Sequence, residues 1–236
     1  MTGYEPIKFV STAAHSGASK GTSDWPLFRT AEVYLNYAEA KAELGTLTKD
    51  DLLISIDRIR DRAGMKGLDM AAANANPDPF LLACYPNVTK SENTGVILEI
   101  RRERTIELVM EGLRMWDMFR WKEGAQLVNE TNPYYGIYFS GPGLYDMDGD
   151  GRNDLELYVD KQTSSPADGL TVLRIGSDII LSDMAENRGY VVAWSTLKYT
   201  WNEERDYLWP IPADQRVLTG GLLTQNPGWT DSTDFD

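Results

Sequence analysis

Residues 97–121, ILEIRRERTIELVMEGLRMWDMFRW, constrain the fold more than any other stretch of the chain. Large apolar and charged residues interleave here, with no Gly or Pro before Gly112, which is the pattern of a helix packed on several sides. Ile97, Ile100, Ile106, Val109, Met110, Leu113, Trp116 and Phe119 recur at steps of three and four and predict a core-facing stripe. Arg104 with Glu107, Glu111 with Arg114, and Asp117 with Arg120 stand at i,i+3. On an exposed helix face each such pair contributes only about 0.2–0.5 kcal/mol. So many charges beside so many large apolar groups imply that some are partly buried and matched by neighbouring helices. Gly112 predicts a bend, and Gly124 an end.

Elsewhere the chain carries few chemical options. Its 236 residues suffice for a sizeable core, and its net charge of -13 argues against nucleic-acid backbones and anionic membrane surfaces as partners. Neutral glycans and basic protein surfaces remain compatible. Cys84 is the single cysteine, so no intramolecular disulfide exists, and the thiol reads as a small, partly buried side chain. His15 is the single histidine and sits in a polar Gly/Ser/Thr-rich stretch, which excludes a His-based triad or zinc site. No apolar run reaches the ~20 residues of a membrane span.

Along the chain, one short strand is expected at 7–10. Asp24 and Pro26 are expected to open a first helix whose face is Leu27, Ala31, Tyr34, Leu35, Ala38 and Ala42, stopped by Gly45. Thr48 with Asp51 forms a capping box for a second helix, with Leu52, Leu53, Ile56, Ile59 and Ala63 as its apolar face and Gly64 as its stop. Two helices joined by a short turn resemble a tetratricopeptide-type hairpin, and one such pair needs companions to bury its face. A Pro-punctuated loop, 67–93, leads to the central charged helices. Their Glu99, Glu103, Glu107 and Glu111 have the separation that a glycosidase pair uses, about 5–10 Å. The alternating arginines Arg101, Arg102, Arg104 and Arg114 argue instead for an ion-pair lattice. In the C-terminal segment Pro210 and Pro212 predict extended chain, Asn226–Trp229 a tight turn, and Trp209 with Trp229 the pins that hold it.

Between about 125 and 200 the pattern becomes irregular and strand-like, with short strands expected at Leu155–Val159, Leu170–Ile175 and Gly189–Tyr199. Tyr134, Tyr135, Tyr138 and Phe139 cluster around a turn, where aromatic faces either stack on the C–H faces of sugar rings or fill the insert's own core. Trp194 and Trp201 pose the same alternative, without an evident platform. In 146–154, DMDGDGRND, Asp146, Asp148 and Asp150 take positions 1, 3 and 5 of a calcium loop, with Gly151 at the sharp turn. The Arg152 carbonyl and the Asp154 carboxylate follow at 7 and 9, so Ca²⁺ stapling the insert is expected, beside the plainer reading of an acidic turn. Position 12 is Leu157, and the flanks are not helical, so this is a loop between strands rather than an EF-hand.

Three blocks carry a resemblance to a known family. RRERTIELVMEGLRMWDMFRW at 101–121 resembles the "ERxxEL…EGxRxxDLxRW" helices of the SusD/RagB family. DWPLFRTAEVYLNYAEA at 24–40 is similar to its "R.AEvyLnyAEA" helix, and YLWPIPADQRVLTGGLLTQNPGW at 207–229 to its terminal "PIP…QNPGW" segment. The resemblance implies a mainly α fold of tetratricopeptide-like hairpins with an irregular, partly β insertion. It implies one domain over 1–236, with a helical body at about 24–124, a tail at 205–229 and the insertion at about 125–200. It further implies a non-catalytic, surface-exposed, outer-membrane glycan-binding lipoprotein of gut-type Bacteroidetes that delivers oligosaccharide to a SusC-like TonB-dependent transporter. Family members are longer, with a secretory signal, a lipidated cysteine and an N-terminal helical half, so this chain reads as a C-terminal portion whose membrane attachment is a lipid anchor lying outside it. A peptide-binding helical scaffold and a glycoside hydrolase are the rival readings.

Overall fold

The computed structural model describes residues 3–4, 8–9, 12, 15, 26–128, 135–166, 169–194 and 200–230. The chain divides into two compact units: Phe9–Val128 with Thr200–Asp236, and Met1–Lys8 with Asn129–Tyr199. The second of these joins Met1–Lys8 to the stretch 129–199. Ile7 and Val10 of the expected 7–10 strand, and Asp24, lie outside the described residues, while Lys8 and Phe9 form a turn rather than a strand.

The first unit is helical. It contains α1 (Thr30–Glu43), α2 (Lys49–Ile54), α3 (Ile56–Arg62), α4 (Met70–Ala75), α5 (Pro79–Cys84), α6 (Thr94–Glu107), α7 (Arg114–Trp121), α8 (Gly124–Leu127) and α9 (Ala213–Leu218). Leu35, Ala38 and Ala42 of α1 pack with Leu52, Ile56 and Ile59 of α2 and α3 and with Val96, Ile97, Leu98 and Ile100 of α6. The Thr48 capping box forms as expected: its hydroxyl accepts from Asp51 N, and Asp51 accepts from Thr48 N at 2.9 Å. Ser55 interrupts the second helix, turning its hydroxyl back to the Asp51 carbonyl at 2.5 Å. Gly95 is buried where α4 crosses α6, and a methyl there would collide with the Ala73 carbonyl. Only glycine allows that approach.

Several expectations are corrected. The first helix starts at Thr30 rather than near Pro26, leaving Leu27 exposed, because Arg29 is extended at the N-cap. From there its guanidinium grips Glu111 at 2.6 Å and Glu107 at 2.9 Å. The apolar stripe holds only at its start. Ile97 and Ile100 are buried, but Ile106, Val109, Met110 and Trp116 are exposed. The physical cause is the bend: Met110 and Gly112 both adopt positive φ, so the helical phase is reset between α6 and α7. Left-handed Lys122, not Gly124, stops α7. Finally, Pro212 does not keep the tail extended; it caps α9, because its fixed φ suits a helix start. The Asn226–Trp229 turn forms, and the Trp229 indole donates to the Leu208 carbonyl at 2.9 Å, whereas Trp209 is exposed.

What fills the space of the missing stripe is charge. Arg104 and Asp117 are both buried, and Arg104 Nε donates to both carboxylate oxygens of Asp117 at 2.7 Å. Asp117 also accepts from Arg120 at 2.9 Å, and Arg120 holds Glu39 of α1 at 2.8 and 3.0 Å. Trp121 Nε1 completes Glu39 at 2.7 Å. Although burial pushes the Glu39 carboxyl upward, the hydrogen bonds of Arg120 and Trp121 bring it below its ordinary value. Of the predicted i,i+3 pairs Asp117–Arg120 forms, while Arg104 and Glu111 reach across to other segments. The glutamates of α6 are held by arginines: Glu99 by Arg102, Glu103 by Arg60, and Glu107 by Arg29 and Arg62.

Among the described residues, the second unit holds two three-stranded sheets. In one, β1 (Tyr135–Phe139) pairs with β6 (Arg188–Val192), which pairs with β5 (Leu181–Asp183), all antiparallel. In the other, β3 (Leu155–Tyr158) lies between antiparallel β2 (Gly143–Tyr145) and parallel β4 (Thr171–Arg174). Phe139, Leu155, Leu157, Ile175, Leu181 and Val191 form its own core. The three expected strands appear as β3, β4 and β6; β1, β2 and β5 are additional. Residues 195–199 of the longest expected strand lie outside the described residues, and β6 ends at Val192.

Two outcomes follow. Asp117→Asn leaves Arg104 buried without its counter-charge, and a buried pair broken on one side costs about 3–5 kcal/mol. The urea midpoint should fall by the corresponding amount, with an unchanged slope. Glu123 is buried, and burial pushes its carboxyl up to about 7 despite the Asn87 N–H and nearby Arg101. Because its folded value lies above its ordinary 4.5, the folded state binds the extra proton, so stability rises as pH falls from about 7 to about 4.5. Urea midpoints across that window should climb for the wild type and flatten for Glu123→Gln.

Candidate functional site

In a regular strand Tyr135 and Tyr138 would point to opposite faces, since side chains alternate with period two. The β1–β6 register is Tyr135 opposite Val192 and Tyr138 opposite Tyr190, and it shifts between those two positions. That bulge inserts one extra residue and re-aims the side chain beyond it. Both tyrosines therefore lie on the solvent side, 47% and 51% exposed, and Tyr190 joins them at 46%. Tyr135 stacks on Tyr190 with centroids 5.4 Å apart and planes at 21°, while Tyr138 meets Tyr190 edge-on at 5.1 Å. Three half-exposed rings thus form one ridge on the outer face of β1 and β6. Tyr190 is absent from the sequence-based candidates because it stands 52 positions beyond Tyr138, and only strand pairing brings the two together.

The remaining aromatic candidates separate. Tyr134 lies outside the described residues. Phe139 is buried and packs edge-on against Tyr145 at 4.8 Å, so it serves the core rather than the outer face. On this inner side a cavity of about 490 Å³ is lined by Ile137, Phe139, Leu155, Leu173 and Val191, with Asp154 at its edge. Trp194 is 52% exposed just after β6. Trp201 belongs to the helical unit and is partly buried among Tyr207 at 5.0 Å and Phe119 at 6.0 Å. A methyl at Gly124 would collide with its indole, so Trp201 is a packing residue rather than a platform.

The acidic loop joins β2 to β3, as a loop between strands. Tyr145 opposite Leu155 closes it, and the Asp154 N–H donates to the Tyr145 carbonyl at 2.9 Å. Inside, Asp146 accepts from Gly149 N at 2.7 Å and Gly151 N at 2.8 Å, both glycines at positive φ. The Gly151 and Gly149 N–H groups hold the Asp146 carboxyl below its ordinary value. Asp148 accepts from Asp150 N and Asp154 from Met147 N. Oxygens of Asp146, Asp148 and Asp154 come within 4.8 Å of one another. Asp150 is not in that trio; its carboxylate accepts from the Arg152 N–H at 2.8 Å. Carboxylate oxygens are hard ligands, the class that Ca²⁺ takes.

The sequence model of the SusD family matches residues 1–229. The chain belongs to the SusD family. Among solved structures, a SusD-like protein from Bacteroides fragilis NCTC 9343 matches at 23% identity with a TM-score of 0.46. That match covers 87% of this chain and 26% of the other, so the chain spans about a quarter of that structure's length. No curated protein matches it. Among the described residues, no helix is long and apolar enough to cross a membrane.

Proposed function

We propose that this chain is part of a non-catalytic glycan-binding protein at the bacterial outer-membrane surface. It captures oligosaccharide and passes it to a SusC-like TonB-dependent transporter for nutrient uptake. The protein is held to the membrane by a lipid anchor. Membership of the SusD family supports the class of function. The observation that carries the reading onto this chain is the ridge of Tyr135, Tyr138 and Tyr190. Each ring offers an apolar face to the C–H side of a sugar and a hydroxyl at its rim. The ion-paired glutamates of α6 leave no free acid and base pair there for hydrolysis, which favours binding over cleavage. Ca²⁺ held by Asp146, Asp148 and Asp154 would staple the β2–β3 hairpin, with Asp150 and the Arg152 carbonyl as the further ligands of the proposed set.

Calorimetric titration against soluble xylan, galactomannan, laminarin and amylopectin tests the proposal. At least one polysaccharide should bind the wild type, and Tyr135→Ala with Tyr190→Ala should weaken it about tenfold, the worth of one good aromatic contact. Unchanged affinity in that double variant would remove the ridge from the site. Separately, Ca²⁺ should raise the melting temperature of the wild type and leave Asp146→Asn with Asp148→Asn unmoved; no shift in the wild type would dismiss the metal.

A further inference from the structure

The helical unit carries a groove of about 510 Å³ between α1 and α7. Its floor is the Glu39–Arg120–Asp117–Arg104 network, and its walls include Glu32, Asn36 and Trp116. Trp116 is 56% exposed and meets Phe119 nearly at right angles with centroids 5.9 Å apart, so packing covers part of the ring and leaves the rest open. The bend that removes Trp116 from the apolar core is what places it here.

The charge balance narrows the ligand. Arg104 and Arg120 offset Asp117 and Glu39 on the floor, and Glu43 faces buried Arg101 at 3.5 Å. Among the described residues only the Glu32 carboxylate lining the groove has no ion-pair partner. A groove with so little net charge does not select an anion or a polycation. It does offer matched hydrogen-bonding groups. Asn36 Oδ1 accepts from Arg104 Nη1 at 2.6 Å, which orients the amide and leaves its N–H₂ as a donor. Arg120 commits three N–H groups to Glu39 and Asp117 and remains half exposed, with donors to spare. Glu32 supplies acceptors. Preorganised donors and acceptors beside a partly open indole suit a neutral polyhydroxylated ring with an apolar side.

We propose that this groove is a second saccharide subsite, in which Trp116 stacks on a sugar ring and Glu32, Asn36 and Arg120 bond its hydroxyls. The inference rests on the glycan-binding reading but uses a different unit of the chain from the tyrosine ridge. The test is titration of the full chain with the same four polysaccharides. Trp116→Ala should weaken binding about tenfold, and Trp116→Phe, which keeps an aromatic face and its packing on Phe119, should retain most of it. Affinity should stay constant between about 0.01 and 0.15 M salt, as a neutral ligand requires. Wild-type affinity in Trp116→Ala, or a steep salt dependence, would overturn the subsite. If the tyrosine double variant loses binding while Trp116→Ala does not, the subsite falls and the ridge stands; the reverse pattern upholds the groove against the ridge. Binding of none of the four polysaccharides would reject both.

Discussion

The helical unit depends on one buried ionic network. Arg104 of α6, Asp117 and Arg120 of α7 and Glu39 of α1 lie where three helices meet, and each carboxylate there is held by two donor side chains. Charges taken out of water are costly unless every lone pair and proton is matched, so the network tolerates few alternative arrangements. That makes it a device for fixing geometry more than for adding stability. It sets how α7 leaves the bend and therefore where Trp116 and Trp121 point. Trp121 turns inward to Glu39 and to Arg101, whose guanidinium carbon lies 4.6 Å from its ring centroid, while Trp116 turns outward to the groove.

The β-rich unit solves a different problem by simpler means. Its sheets are short, and its core is a handful of side chains around Leu157 and Leu181. Local closures compensate. Asp146 and Asp154 tie the acidic loop through backbone N–H groups, and buried Glu156 accepts from Thr163 and Ser164 N–H at 2.6 Å. The Thr163 N–H, with the other bonds from Thr163 and Ser164, holds that carboxyl down at about 2. A scaffold fastened by short-range bonds leaves its outer face free to carry exposed aromatics, and the tyrosine ridge occupies such a face.

Much of this was legible in the residues. The capping box at Thr48, the bend at Gly112, the acidic hairpin at 146–154 and the separate character of 125–200 are all local signals, set by backbone conformation or by neighbours within a few positions. The three blocks that resemble the SusD/RagB family likewise lie in the sequence, and the model of that family matches residues 1–229. The expectation that charges in 97–121 are partly buried also held, because their density beside large apolar groups leaves too little surface for all of them.

What the sequence did not determine is which partner each group takes. Periodicity assigned Ile106, Met110 and Trp116 to the core and paired Arg104 with Glu107, because it assumes one uninterrupted helical phase. Two positive-φ residues broke that phase, and tertiary packing then sent Arg104 to Asp117 and Trp116 to the surface. In the same way a single bulge placed Tyr135 and Tyr138 on one side, and strand pairing added Tyr190 from far along the chain. Local conformation is written in nearest neighbours, so the residues specify it alone. The ridge and the groove are made by groups distant in sequence, so only the folded arrangement of strands and helices decides them.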